Sequence, residues 1–169
     1  MSGARIIRKW DEAKHAYVTA AEALPSTTVL DHATIRDLPI GSPDGIQLEL
    51  VPAQGPGTLI VPYVALIGPL VGPTDYTFDP AAAFYLKIGP SGSAFHDNPG
   101  VANFLGSNRY IVELGSLASY AGSNVHLPGE LNQPLLLEAD NGNPGVAFGG
   151  GHASNRLTIT VLYTVVTQA

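Results

Sequence analysis

Residues 156–166, RLTITVLYTVV, alternate with a period of two: Leu157, Ile159, Val161, Tyr163 and Val165 against Thr158, Thr160, Leu162, Thr164 and Val166. Only an extended strand sends every second side chain to a common face. The β-branched and aromatic residues suit a pleated, half-buried surface. A strand leaves its backbone donors and acceptors unpaired, so this run commits the chain to a sheet.

The same period recurs upstream. In IQLELV (46–51), Ile46, Leu48 and Leu50 share one face and Gln47 and Glu49 the other. FYLKI (84–88) turns Phe84, Leu86 and Ile88 inward and Tyr85 and Lys87 outward; RYIVEL (109–114) sets Tyr110, Val112 and Leu114 against Arg109, Ile111 and Glu113. PLLLEA (134–139) is a shorter candidate, and brief strands near 27–30 and 145–148 bring the count to seven or eight. Between them lie GPSGS, DNPG, GSN, DNGNPG and GGG, which carry turn chemistry. Short strands separated by Gly/Pro turns predict an all-β chain, an antiparallel β-sandwich or closed barrel, with an eight-stranded jelly roll one fitting form.

The stretch VPAQGPGTLIVP (51–62) joins two strands through a stiff corner. Gly55 and Gly57 can take positive φ and the prolines fix theirs, so PAQGPG makes a tight reversal. Pro62 has no N–H for a ladder, which places strand 58–67 at an edge or gives it a bulge. Both of its faces are apolar, Leu59/Val61/Tyr63/Ala65/Ile67 and Ile60/Val64/Leu66, so both should be covered, the second by the N-terminal helix or another subunit.

The first forty residues read differently. WDEAKHAYVTAAEAL (10–24) predicts a helix ending at Pro25, and LDHATIRDLP (30–39) predicts one or two helical turns capped by Asp31 and stopped by Pro39. The expected organisation is a basic, helical N-terminal arm over 1–40 and a β-sandwich domain over 41–169.

Charged residues make up only 13% of the chain, which points to surface buried against neighbours, an oligomer or an assembled particle. Residues 1–14 hold four bases against two acids, net +2, and the remainder four bases against twelve acids, net −8. An acidic body disfavours a nucleic-acid face, which needs clustered Lys and Arg. The basic arm is expected to dock on an acidic protein surface: Ile6, Ile7 and Trp10 fill a groove while Arg5, Arg8 and Lys9 pair with carboxylates. No run reaches the length of a membrane span, and MSGARIIRKW lacks a secretory apolar core, so neither membrane nor export is expected. Without cysteine there is no disulfide or thiolate metal site.

Chemical motifs are sparse. His15, His32, His96, His126 and His152 form no ligand spacing, so no metal and no cofactor is expected. GNPGVAFGGGHASN (142–155) is spaced wrongly for a cupin-type metal motif and reads as a flexible loop before the last strand. SGSAFHD (91–97) places Ser, His and Asp together in a loop, and Glu49 and Glu113 could meet across strands as a carboxylate pair, yet neither predicts an enzyme. Tyr76, Phe78, Tyr85, Phe95 and Tyr120, in loops or pointing outward, would suit sugar stacking and make glycan or receptor binding the alternative function.

Two stretches carry a resemblance. The short helix ending in DLP followed by LELVPAQGPGTLIVPYVALI, and the close NQPLLLEADNGNPGVAFGGGHASNRLTITVLYTVV, together about 30–67 and 132–166, resemble small tailed-phage virion proteins encoded near capsid genes. Gln54 stands where that pattern more often has proline, and the N-terminal region lies outside it. The resemblance implies a jelly-roll decoration (cement) protein of the bacteriophage capsid. Such proteins sit as homotrimers or dimers on the head exterior, bound to the major capsid protein after synthesis in the host cytoplasm.

Overall fold

The computed structural model describes residues 8–11, 16–19, 23–40, 46–90, 94–97, 105, 110–113, 131–142 and 145–167. It is an all-β chain of antiparallel sheets, with one short helix among the described residues. In chain order the elements are β1 (Arg8–Asp11), β2 (Ala16–Thr19), β3 (Leu24–Asp31), α1 (His32–Asp37), β4 (Leu48–Val51), β5 (Thr58–Ile67), β6 (Tyr76–Thr77), β7 (Ala83–Ile88), β8 (Ala94–Asp97), β9 (Tyr110–Glu113), β10 (Leu135–Asp140), β11 (Gly149–Gly150) and β12 (Arg156–Thr167).

Two four-stranded sheets dominate, with orders β3-β12-β5-β9 and β4-β10-β7-β8; β6 pairs with β11, and β1 with β2. One apolar cluster draws on both large sheets: Leu30, Ile60, Ala65, Ile67, Leu157, Ile159 and Val161 from the first, Leu50, Phe84, Leu86, Ile88, Leu135, Leu137 and Ala139 from the second. Each large side chain withdrawn from water there contributes about 1.5–3 kcal/mol, which offsets the entropy of ordering the strands.

Among the described residues of 10–24, the expected helix is replaced by strand. Arg8–Asp11 and Ala16–Thr19 pair in register, Trp10 opposite Tyr17 and Lys9 opposite Val18, and Leu24–Asp31 is a strand. Trp10, Tyr17, Val18 and Thr19 are strand formers, and the helix formers Glu12, Ala13 and Lys14 fall between the two strands in sequence. Residues 24–40, grouped with the arm in the expected organisation, pack with the large sheets. Strand β3 pairs with β12 along its whole length, and Leu30, Ile35 and Leu38 belong to the core.

The second helical segment forms as the sequence predicts. Asp31 Oδ1 accepts from Thr34 N at 2.9 Å, Ile35 is buried, and Leu38 N closes the last turn on Thr34 O before Pro39.

The corner at 52–57 carries the chain from β4 in one sheet to β5 in the other. Gly55 and Gly57 do take positive φ, 106° and 73°. Asn132 locks the corner: its Oδ1 accepts from Gly55 N at 2.9 Å and its own N donates to Thr58 O at 2.7 Å.

Strand β5 is bulged. Val64 faces Leu162 but Pro62 faces Tyr163, so Tyr63 is the extra residue. Pro62 also lies beyond Val64–Ile67, the stretch paired with β9. One added residue reverses the side-chain parity. The inward set becomes Ile60, Pro62, Ala65 and Ile67, and Tyr63 is exposed. The face expected from strict alternation, Leu59/Val61/Tyr63/Ala65/Ile67, is therefore split.

Candidate interaction surface

The outer face of the first sheet is built from alternate residues of its four strands, β9 placing Glu113 in register with Val64 and Ile111 with Leu66. Cross-strand pairs place Pro25 beside Leu162, Thr27 beside Thr160 and Val29 beside Thr158 between β3 and β12; Val64 beside Leu162 and Leu66 beside Thr160 between β12 and β5. From Leu24 to Leu30, Thr58 to Ile67 and Leu157 to Thr167 there is no charged residue. Thr27 Oγ1 and Thr160 Oγ1 share a hydrogen bond at 3.0 Å across the two strands.

Part of this face is exposed, although Thr164 and Leu59 at one end of it are buried. Val29 is 60% exposed, Val166 47%, Tyr63 46% and Leu66 38%. Tyr63 stands out from the plane because the bulge puts it there. At one border, Arg156 pairs in register with Asp31. The Thr34 amide and hydroxyl hold the Asp31 carboxyl below its ordinary range, and Arg156 adds to this.

The second sheet is the opposite case. Its outward residues Lys87, Leu136 and Glu138 are only 6%, 5% and 2% exposed. The sequence placed Lys87 outward, which holds, but the side chain is dry. Its Nζ lies 2.6 Å from Glu138 Oε1 on the neighbouring strand, an ion pair whose approach falls outside hydrogen-bond angles. A paired charge tolerates burial where a lone one would not. Of the two outer faces, the first sheet's is the one that leaves apolar surface in water.

A polar cluster closes one end of the fold. His32 Nδ1 shares a hydrogen bond with Tyr76 Oη at 2.9 Å, and the two rings stack. Burial pushes the Tyr76 hydroxyl up, partly offset by the Asn155 side chain. Asn155 is fully buried; its Nδ2 donates to Thr74 O at 2.7 Å, while its Oδ1 packs on Gly72 and accepts no hydrogen bond. Gly151, at φ 73°, lies against the Tyr76 ring, where a Cβ would come within 2.5 Å of Cε1. The Gly-rich segment expected as a flexible loop is thus tied down: Gly149 and Gly150 pair with Thr77 and Tyr76.

The arm residues fare unevenly. Arg8, Lys9 and Trp10 lie on β1, whereas Arg5, Ile6 and Ile7 are outside the described residues. His15, His126 and Tyr120 are outside them too. His152 Nδ1 is engaged with Ser154 Oγ at 2.8 Å. Among the described residues no three His, Asp or Glu side chains gather as a metal site, and no helix is long and apolar enough to cross a membrane.

Ala94–Asp97 is a strand paired with β7, so Phe95, His96 and Asp97 do not lie in the loop expected for them. Glu49 and Glu113 sit in different sheets and cannot form a cross-strand pair. The proposed sugar platform also thins. Tyr76 is buried, and Phe78 is half-buried and packs edge-on to Phe148 with ring centres 6.3 Å apart.

Compared with models of known protein families, with curated proteins and with solved structures, the chain matches none.

Proposed function

We propose that this chain is a structural component of a tailed-phage virion, a decoration protein that binds the outer head shell as a homo-oligomer and reinforces it. The observation that carries the reading is the apolar outer face of β3-β12-β5, on which Val29, Tyr63, Leu66 and Val166 are exposed and charge sits at the borders, at Asp31, Arg156 and Glu113. Exposed apolar surface gains free energy by being covered, about 25 cal/mol for each Å² of apolar area removed from water. Stable contacts of this kind bury about 1,200–2,000 Å² in total, and many copies on one lattice add multivalency.

The fold proposed with it is a jelly-roll sandwich. What supports this is the strand order. The chain enters the first sheet at β3, crosses to β4, returns at β5, crosses again to β7 and β8, returns at β9, crosses to β10, and comes back at β12. That path gives two four-stranded sheets, β3-β12-β5-β9 and β4-β10-β7-β8, which is the connectivity of two Greek keys. The role is structural rather than catalytic, with the basic arm as a second foothold on an acidic protein surface.

Co-sedimentation tests the function. Purified protein added to heads that lack it should pellet with them and saturate at a copy number set by the shell lattice. Protein that stays in the supernatant at every ratio would refute the proposal.

A further inference from the structure

The partly exposed face and the N-terminal hairpin are the two unfinished parts of this fold. Strands β1 and β2 have four residues each, and they pair with each other but with neither large sheet. A lone two-stranded hairpin is marginal in water and needs a surface to pack on. The hairpin register pairs Trp10 with Tyr17 on one face, and residues 1–14 carry net +2 against −8 for the remainder. Their chemistry therefore suits an apolar face on an acidic body.

The first sheet of another copy offers that face. Val29, Tyr63, Leu66 and Val166 stay exposed on a chain that already contains the hairpin, so the arm of the same molecule leaves them bare. Only residues 20–23 separate β2 from β3, the edge strand of the face itself. At about 3.3–3.6 Å per extended residue, this linker is short, so an arm crossing to a neighbour would keep the two copies' β3 edges close.

We propose that the N-terminal hairpin of one copy packs on the outer face of β3-β12-β5 of a second copy, the arms being exchanged reciprocally. This rests on the homo-oligomer reading above and identifies the acidic protein on which the arm docks as a sister chain. Exchange of a terminal element is a low-cost route to closed assemblies, because each copy supplies what the other lacks.

The chain has no cysteine, so single cysteines report proximity without background. Thr19→Cys in the arm, on the Trp10/Tyr17 side of the hairpin by register, and Val29→Cys on the face are prepared on separate chains, each checked for a wild-type circular dichroism spectrum and a cooperative melt. The two are then mixed, unfolded and refolded together, and oxidised mildly. The expected product is a Thr19→Cys/Val29→Cys mixed disulfide dimer, with neither variant cross-linking to itself. Self-cross-linking of Val29→Cys would overturn the exchange in favour of face-to-face stacking. An internal disulfide in a chain carrying both substitutions, with no mixed dimer, would show that the arm folds back on its own sheet. An oligomer by native mass spectrometry with no arm-to-face cross-link would sink this inference alone; a monomer would sink the homo-oligomer reading with it.

Discussion

Lys87 and Glu138 face each other across β7 and β10 with Nζ 2.6 Å from Oε1, both all but withdrawn from solvent. The pair settles which outer face is finished. A buried ion pair costs several kcal/mol of desolvation per ion and survives only while both partners stay. Lys87→Met alone should lower unfolding free energy by about 3–5 kcal/mol, because the Glu138 carboxylate is stranded. Lys87→Met with Glu138→Leu should recover most of that loss. Urea titrations of the two variants check both outcomes, and equal losses in the single and double variants would contradict the pairing.

Gly151 and Gly145 share a positive φ, 73° and 76°, but differ in surroundings. A Cβ on Gly151 meets the Tyr76 ring, while one on Gly145 meets open space. Gly145→Ala should cost about 1 kcal/mol of backbone strain. Gly151→Ala should cost more, about 2–3 kcal/mol, since Tyr76 and its bond to His32 must also shift. Thermal melts of the two variants rank them.

Asp31 caps α1, and the Thr34 amide holds its carboxyl below the ordinary value of 3.8. A depressed folded pKa means that this carboxylate's stabilisation is complete above the unfolded value and fades as pH falls through the folded one. Asp31→Ala should melt below wild type at pH 7, with the gap narrowing below pH 3.8. Asp31→Asn, which keeps an accepting oxygen but does not titrate, should stay near wild type at pH 7. A gap between wild type and the alanine variant that is unchanged at acid pH would contradict the capping account.

Much of this architecture was legible in the sequence, and the gaps have physical causes. Strands β4, β5, β7, β9, β10 and β12 follow from the period of two, and the 52–57 corner from Gly55 and Gly57, because those signals are local. Strand β8 was hidden: AFHD is short, flanked by turn residues, and pairs only because β7 lies alongside. The β1–β2 hairpin was misread because Glu12, Ala13 and Lys14 outweighed the strand formers around them. The bulge at Tyr63 was foreseen only as an alternative for Pro62, and its effect on parity appears only once β12 supplies the register. Lys87 and Glu138 are fifty-one positions apart and meet through a nonlocal pairing that neither strand announces. The interaction face was half visible: the two-sided apolar character of 58–67 pointed to a cover, but β3 and β12 complete the surface.

Charge placed on that surface should keep copies apart without unfolding them. Val29 and Leu66 are exposed, so Val29→Lys with Leu66→Lys should leave the melting temperature within a few degrees of wild type, as surface substitutions do. A large loss of stability in this variant would mean that the two positions are packed within the single chain.

Native mass spectrometry of the wild-type chain and this lysine variant, over a range of micromolar concentrations, tests the central claim most directly. The account predicts a discrete oligomer for wild type and a folded monomer for the variant. A wild-type chain that stays monomeric throughout, or a variant that assembles as wild type does, would contradict it.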